Sequence, residues 1–288
     1  MDKEFNYIEG SKFISIADLN YCLDPNYYAH AVFQNTFNEN NVNEIDKDVI
    51  IVYTNTHWVE NFFNELKTFK TNKKFILITH NSDHDLNEHV YNLKPENVIK
   101  WYSQNVNYVN DKNDFESIPI GLENPSWFPH ANKINNLLET LKKEKTIKNL
   151  LYVNHTIRSY PDERTEPYEL FTNKDWCTIE FYENGQNYNN YIDNVYNHKF
   201  VLCPRGNGLD THRFWETLHL KTIPVVIKNS NNKYYSDLPV VFVNSWKEIT
   251  EELLNDEYER ISKTEYNLEK LYFKYWKDKI INTIKYEN

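Results

Sequence analysis

Between Lys199 and Ile227 the chain reads KFVLCPRGNGLDTHRFWETLHLKTIPVVI. An apolar strand enters a turn holding Arg205, Gly206, Asn207 and Gly208, and a short helix with His212, Arg213 and Glu216 follows. Two glycines in one turn stand out in a chain that has only five. These residue types suit a diphosphate. Guanidinium forks match phosphate oxygens, and the free N–H groups where a helix starts, near Thr211, donate readily to an anion. Gly206 and Gly208 permit a tight backbone path, and Asp210 or Thr211 is placed to cap the helix. The competing reading is a tight turn in which Arg205 only pairs with a neighbouring carboxylate. Glu216 follows Arg213 by three positions and His212 by four. Facing a cleft, its carboxylate would accept from both hydroxyls of a ribose. Facing solvent, it would make only a helix ion pair with Arg213, about 0.2–0.5 kcal/mol.

A second basic stretch, LLYVNHTIRSYPDER, places His155, Thr156, Arg158 and Arg164 at or beyond a strand end. Arg158 is the better phosphate candidate, because Arg164 stands where a helix can begin. The stretch THNSDHD, residues 79–85, follows the most apolar strand of the first half. Its His80, Asp83 and His84 are candidates for a general base. Asp83 is the first choice, since a carboxylate takes a proton directly; His80 or His84 would do so with a pKa nearer neutrality. The competing reading for Asp83 is a local Asx-turn. His57 and Glu123 are further strand-end candidates. Asp83 and Asp85 also form an Asp-x-Asp, a spacing that can chelate a hard cation, but such a pair arises easily in an acidic chain and no metal site is assigned. Cys203 has no activating His pair and reads as an inert thiol.

The elements that must position these groups alternate. Residues 13–16, 49–53, 74–79, 98–101 and 118–121 read as strands of a first half, with an amphipathic helix over 58–69 whose apolar face is Val59, Phe62, Phe63 and Leu66. Two prolines in residues 123–133 mark a boundary. The alternation then restarts, with a helix over 134–143, strands over 150–153, 177–181, 200–202, 224–227 and 240–243, and helices over 166–171, 188–196 and 211–220. Helices over 246–254 and 263–284 end the chain, the last carrying Leu268, Leu271, Tyr272, Tyr275, Trp276 and Ile280 at helical spacing. Strand–helix alternation predicts parallel sheets, here two consecutive doubly wound, Rossmann-like halves. Neither half opens with Gly-x-Gly-x-x-Gly and no Walker loop is present, so a dehydrogenase or nucleotide hydrolase is a poor fit. In open α/β sheets ligands lie beyond the carboxyl ends of the strands, so two such halves are expected to face each other across a cleft. Trp127 and Phe128, at the boundary, and Trp101, Tyr102, Gln104 and Asn105 are further strand-end residues; most such aromatics are expected in the core.

The 288 residues carry a formal net charge of −10, which argues against a general nucleic-acid binder. The three cysteines, Cys22, Cys177 and Cys203, are scattered and odd in number, so neither a disulfide framework nor a zinc knuckle is expected. The start, MDKEFNYIEGSKF, has no apolar core of a signal peptide, and no apolar run approaches the length of a membrane span.

The run FVLCPRGNGLDTHRFWETLHLKTIPVV resembles the donor-binding motif of exostosin-like glycosyltransferases, in particular small microbial or viral members. That pattern is a strand, Cys-Pro-Arg-Gly, a helix bearing an Arg and a Glu, and Ile-Pro-Val. Here it falls on Cys203, Pro204, Arg205, Gly206, Arg213, Glu216, Ile223, Pro224 and Val225. Lys221 and Thr222 stand where the family often has Gly. The resemblance is best over residues 150–245. It implies two Rossmann-like domains in the GT-B arrangement, over 1–130 and 131–288, with the last helix returning to the first domain. It also implies an inverting transferase that needs no bound metal. The second domain would hold a nucleotide sugar, with UDP the expected base and GDP the alternative. Arg205 would meet the diphosphate and Glu216 the ribose or sugar hydroxyls, with Arg213, Arg158, Gly206, Asn207 and Gly208 around them. The first domain would take a glycan, glycolipid or glycoprotein acceptor. A cytoplasmic location, free or peripheral to a membrane, is the matching expectation; the sequence assigns no oligomeric state. The alternatives are a metal-dependent transferase using Asp83 and Asp85, a noncatalytic nucleotide- or sugar-binding protein, and a structural or interaction protein.

Overall fold

A computed structural model describes residues 6–24, 36–124, 133–181 and 187–286. The chain divides into two compact units, Met1–Ser126 with Tyr272–Asn288, and Trp127–Leu271. Most of the boundary stretch over 123–133, including Trp127 and Phe128, lies outside the described residues.

The first unit runs through α1 (Gly10–Ile14), β1 (Leu19–Tyr21), α2 (Glu39–Glu44), β2 (Val49–Asn55), α3 (Val59–Leu66), β3 (Lys74–His80), α4 (Glu88–Asn92), β4 (Val98–Ser103) and β5 (Phe115–Ser117). Its strands pair in parallel in the order β1-β2-β3-β4-β5. Parallel crossovers are right-handed, so strands added always on the same side leave their helices on one face. Phe62 and Phe63 of α3 fill that face against Phe37, Phe75, Trp101 and Phe115. This sheet is wound in one direction only and lacks the reversal expected of a doubly wound half.

The second unit comprises α5 (Lys133–Leu141), β6 (Asn149–Val153), α6 (Pro161–Arg164), α7 (Glu166–Phe171), β7 (Cys177–Ile179), α8 (Tyr188–Tyr196), β8 (His198–Leu202), α9 (His212–His219), β9 (Ile223–Ile227), β10 (Val241–Val243) and α10 (Glu251–Ser262). Its parallel order is β10-β9-β8-β6-β7. The winding reverses between β6 and β8. That reversal is the switch point at which open α/β sheets bind ligands. Leu151, Val153, Phe200, Leu202, Val225 and Trp246 are buried in one core. Trp215 of α9 is buried, with its ring edge-on to Tyr235.

The last helix, α11 (Phe273–Tyr286), belongs to the first unit. Together with α1 it covers the sheet face that the crossover helices leave open. Tyr102 and Thr283 share a hydrogen bond of 2.7 Å. Lys279 pairs with Glu116, which also pairs with Lys100 at 3.2 Å. Phe13 packs on His80 and edge-on to Phe273. The two units are thus two parallel sheets, each flanked by helices, the two-Rossmann architecture read from the alternation. Among the described residues no helix is long and apolar enough to cross a membrane.

Several elements differ from expectation. Residues 13–16 close a helix and its exit rather than a strand; a short apolar run does not distinguish the two. The first strand is Leu19–Tyr21 instead. Residues 118–121 follow the edge strand Phe115–Ser117 as loop. Gly121 there has φ +70°, and a Cβ would stand 2.3 Å from the Ile8 carbonyl oxygen. The final helix begins at Phe273, so Leu268 and Leu271 precede it.

Candidate functional site

Arg158 and Arg164 follow β6, and Arg205, Arg213 and Glu216 follow β8, so these residues lie beyond strand carboxyl ends on both sides of the switch point. Residues 203–210 leave β8 and lead to α9, whose N-cap Thr211 makes no side-chain capping bond. Asp210 is buried; it accepts from the Thr211 N–H at 2.9 Å and the Trp215 indole at 2.9 Å, so it fixes the helix start from inside. The loop is tied to the other side of the switch by Arg164 and Glu163. Arg164 donates through Nε to the Arg205 carbonyl at 2.6 Å and through Nη1 to the Thr156 carbonyl at 2.8 Å. Glu163 accepts from the Arg205 N–H at 2.9 Å.

Arg205 folds its own guanidinium over the loop. Nη2 donates to the Asn207 carbonyl at 2.9 Å, and the group stacks on Tyr160 with 4.3 Å to the ring centre. Gly206 closes the turn by donating to the Gly208 carbonyl at 3.0 Å.

Arg213 points inward from the first turn of α9. Its guanidinium lies 4.8 Å from the Tyr191 ring centre, and its buried Nη1 has no hydrogen-bond partner. A buried cation whose donors are unmet is costly, and an anionic ligand is the natural complement. Glu216, one turn further on, is buried and does not pair with Arg213. Its two oxygens accept from Tyr188 at 2.8 Å and Tyr191 at 2.9 Å, both on α8. The helix ion pair considered from the spacing is therefore absent. Burial holds the Tyr191 phenol well above its ordinary range, which keeps it a donor.

His155 is buried, with Nε2 bonded to the Arg164 carbonyl at 2.8 Å and Nδ1 unpartnered. Burial, with Arg213 and Arg164 adding to it, drives its pKa down to about 3. Arg158 is exposed on the turn Ile157–Ser159, and Arg164, which sequence placement disfavoured, is the buried one. Burial pushes the Cys203 thiol up to about 12, so it stays protonated and un-nucleophilic.

In the first unit, the loop after β3 separates the three candidate bases. His80 is the last residue of β3. It is buried, with Nδ1 3.1 Å from Asn81 Oδ1 and Nε2 3.0 Å from the Pro119 carbonyl. A Cβ on Gly10 would stand 2.6 Å from its Nδ1. His80 is therefore an interior residue with both ring nitrogens engaged, unsuited to accept a proton from a ligand. Asp83 and His84 are exposed. The His84 ring lies 6.1 Å from that of His57, which follows β2. Burial, and then His84, lowers the His57 pKa. Asp85 accepts from Asn107 at 3.4 Å. Among the described residues no group of three or more His, Cys, Asp or Glu is placed to hold a metal ion.

Sequence reasoning missed Glu163, Tyr188 and Tyr191. The two tyrosines carry a weak signal, a spacing of three on a helix facing the next strand's loop. Glu163 carries none.

No family model matches the chain, and no curated protein sequence matches it. Among solved structures it is similar to α,α-trehalose 6-phosphate synthase from Burkholderia multivorans, at 11% identity and TM-score 0.40, over 85% of this chain and 71% of that one. It is also similar to AviGT4, a glycosyltransferase involved in avilamycin A biosynthesis, at 13% identity and TM-score 0.37, over 86% of this chain and 77% of that one. Likeness at this level fixes neither family nor activity.

Proposed function

We propose that the chain is a glycosyltransferase that moves a sugar from a nucleotide sugar to a hydroxyl of a glycan, glycolipid or glycoprotein acceptor. The observation that carries this reading is Arg213, whose buried Nη1 lacks a partner at the switch point of the second unit. The donor diphosphate supplies the missing anion. Arg205 adds its guanidinium once it leaves its own loop carbonyls, and the start of α9 adds backbone N–H groups.

The reaction is a displacement with inversion. The acceptor oxygen attacks the anomeric carbon, and the bond from that carbon to the diphosphate oxygen breaks. The electron pair leaves with the nucleotide diphosphate, whose charge the arginines stabilise. The acceptor proton passes to a base of the first unit, Asp83 or His84, both exposed. Inversion, a UDP donor and independence from metal rest on the resemblance of residues 203–225 to exostosin-like enzymes.

Calorimetric titration with UDP and GDP, first in EDTA and then with Mn²⁺, tests the reading. Binding of one nucleotide in EDTA is the expected result. Binding only with Mn²⁺ would move the diphosphate to Asp83 and Asp85. Binding of neither would remove the donor assignment.

A further inference from the structure

At the amino ends of β6, β7 and β8 the second unit has an open hollow of ≈ 350 Å³. Small-molecule sites span about 300–1,000 Å³. The three strands are parallel, so the hollow lies at the opposite end of the sheet from the loops that follow β6 and β8. Neither Arg205 nor Arg213 lines it.

Distant stretches build its walls. The Asn149 side chain, at the start of β6, donates to the Asp175 carbonyl at 2.9 Å, and the Leu151 N–H donates to the Trp176 carbonyl at 3.1 Å. These bonds fix the residues before β7 against β6. Trp176 packs edge-on to Phe171, with ring centres 5.8 Å apart, and stays half-buried, so part of its indole faces the hollow. Lys199, the second residue of β8, holds its amine 4.3 Å from the Tyr258 ring centre. Glu251 and Asn255 stand one turn apart on α10. Ile147 and Leu150 add apolar surface.

Opposite charges line this hollow without meeting. Among the described residues Lys199 forms no ion pair with Asp175 or Glu251, and the side chains of Trp176 and Asn255 make no hydrogen bond. The lining therefore keeps donors, the Lys199 amine and the Trp176 indole N–H, and acceptors, the two carboxylates, open to a ligand. A phosphate would meet both carboxylates, and an amine would meet Lys199. A neutral polyol uses both signs at once. Its hydroxyls donate to the acids and accept from the amine, while its C–H face covers the indole.

We infer that this hollow binds one unit of a neutral saccharide. The sheet separates it from the arginines, so its occupant touches no reacting atom; the site holds the protein to a distant unit of a longer glycan. The inference goes beyond the transferase reading and does not need it.

The test follows the indole ¹H–¹⁵N signals of the labelled full chain during titration with the methyl glycosides of glucose, galactose, mannose and N-acetylglucosamine. Trp176→Phe identifies the Trp176 signal by its loss. At least one glycoside should shift that signal saturably. Glu251→Ala combined with Asn255→Ala should weaken the binding about tenfold, through two lost hydrogen bonds. Both positions are exposed on α10, so the double variant keeps its fold. No movement of the Trp176 signal with any of the four glycosides overturns the inference, and so does equal affinity in the double variant. If inorganic phosphate or methylammonium moves the signal at lower concentration than every glycoside, the site takes a charged ligand and the inference falls. If Trp176→Phe does not fold, the double variant still decides, because indole shifts identical to those of the wild type overturn the inference. No nucleotide is present in these titrations, so a failure of UDP and GDP to bind strikes the donor reading alone.

Discussion

Arg164 donates through its side chain to the backbone carbonyl of Arg205, 41 positions further along the chain, at 2.6 Å. This one bond joins the loops on both sides of the switch point, and a second from the same guanidinium holds Thr156. Burial brings the Arg164 pKa down to about 10, with Arg213 adding to the effect, so the group is still a cation at neutral pH. Arg164→Met would leave two carbonyls without their donor, at about 1–3 kcal/mol each. Urea denaturation at neutral pH should show that loss. An unchanged midpoint would mean that the loops hold their shape without this bond.

Arg213 should behave in the opposite sense. Its charge is desolvated and its Nη1 unmet in the unliganded chain, so Arg213→Met should leave thermal stability equal or raised. Nucleotide affinity should fall by about 10- to 100-fold, the value of a charge-assisted hydrogen bond. Arg205→Ala should cost about tenfold in affinity by the same reasoning. Destabilisation together with intact binding in Arg213→Met would show that the cation serves the fold alone.

The Tyr188 and Tyr191 hydroxyls are the two donors to a buried carboxylate. The double variant Tyr188→Phe, Tyr191→Phe strands that charge, and a loss of about 1–3 kcal/mol for each missing donor is expected. Adding Glu216→Gln should restore much of it, because a neutral amide is cheaper to bury. The comparison of melting temperatures decides the point; no recovery in the triple variant would refute it.

Two of the buried histidines, His155 and His219, contribute most to an acid limit. Burial takes both His155 and His219 to about 3 in the folded chain. The unfolded chain binds these protons from about pH 6.5 downward, so it holds more protons than the folded one between about 6.5 and 3. Stability therefore falls as pH drops through that window. At about pH 5 each histidine accounts for at most ~2 kcal/mol. His155→Gln should flatten the dependence of the urea midpoint between about pH 7 and 5. An equally steep slope in the variant would exclude His155 as a source.

Much of this was legible from local pattern. The buried strands Val49–Asn55, Lys74–His80 and His198–Leu202 are apolar runs bounded by polar loops, and the loop between β8 and α9 carries its own glycines and arginines. What pattern does not show is neighbourhood. The reversal between β6 and β8, and its absence from the first sheet, depend on strand pairing between distant segments. The fates of His80 and Glu216 depend on Pro119, beyond another strand, and on Tyr188 and Tyr191, on another helix. Spacing put both residues near a ligand; tertiary contacts put both inside. Glu163 shows the converse, an acid with no local signature that long-range folding delivers to the Arg205 backbone.

The first unit is interrupted in sequence: Met1–Ser126 waits for Tyr272–Asn288. The sheet face on which Tyr102 meets Thr283 is covered by a segment far along the chain. The second unit, by contrast, is one unbroken stretch. Without residues 272–288 it can still complete its core, whereas the first unit is left with an apolar face exposed. A chain truncated before residue 272 should therefore show a protease-resistant second unit and a protease-sensitive first one.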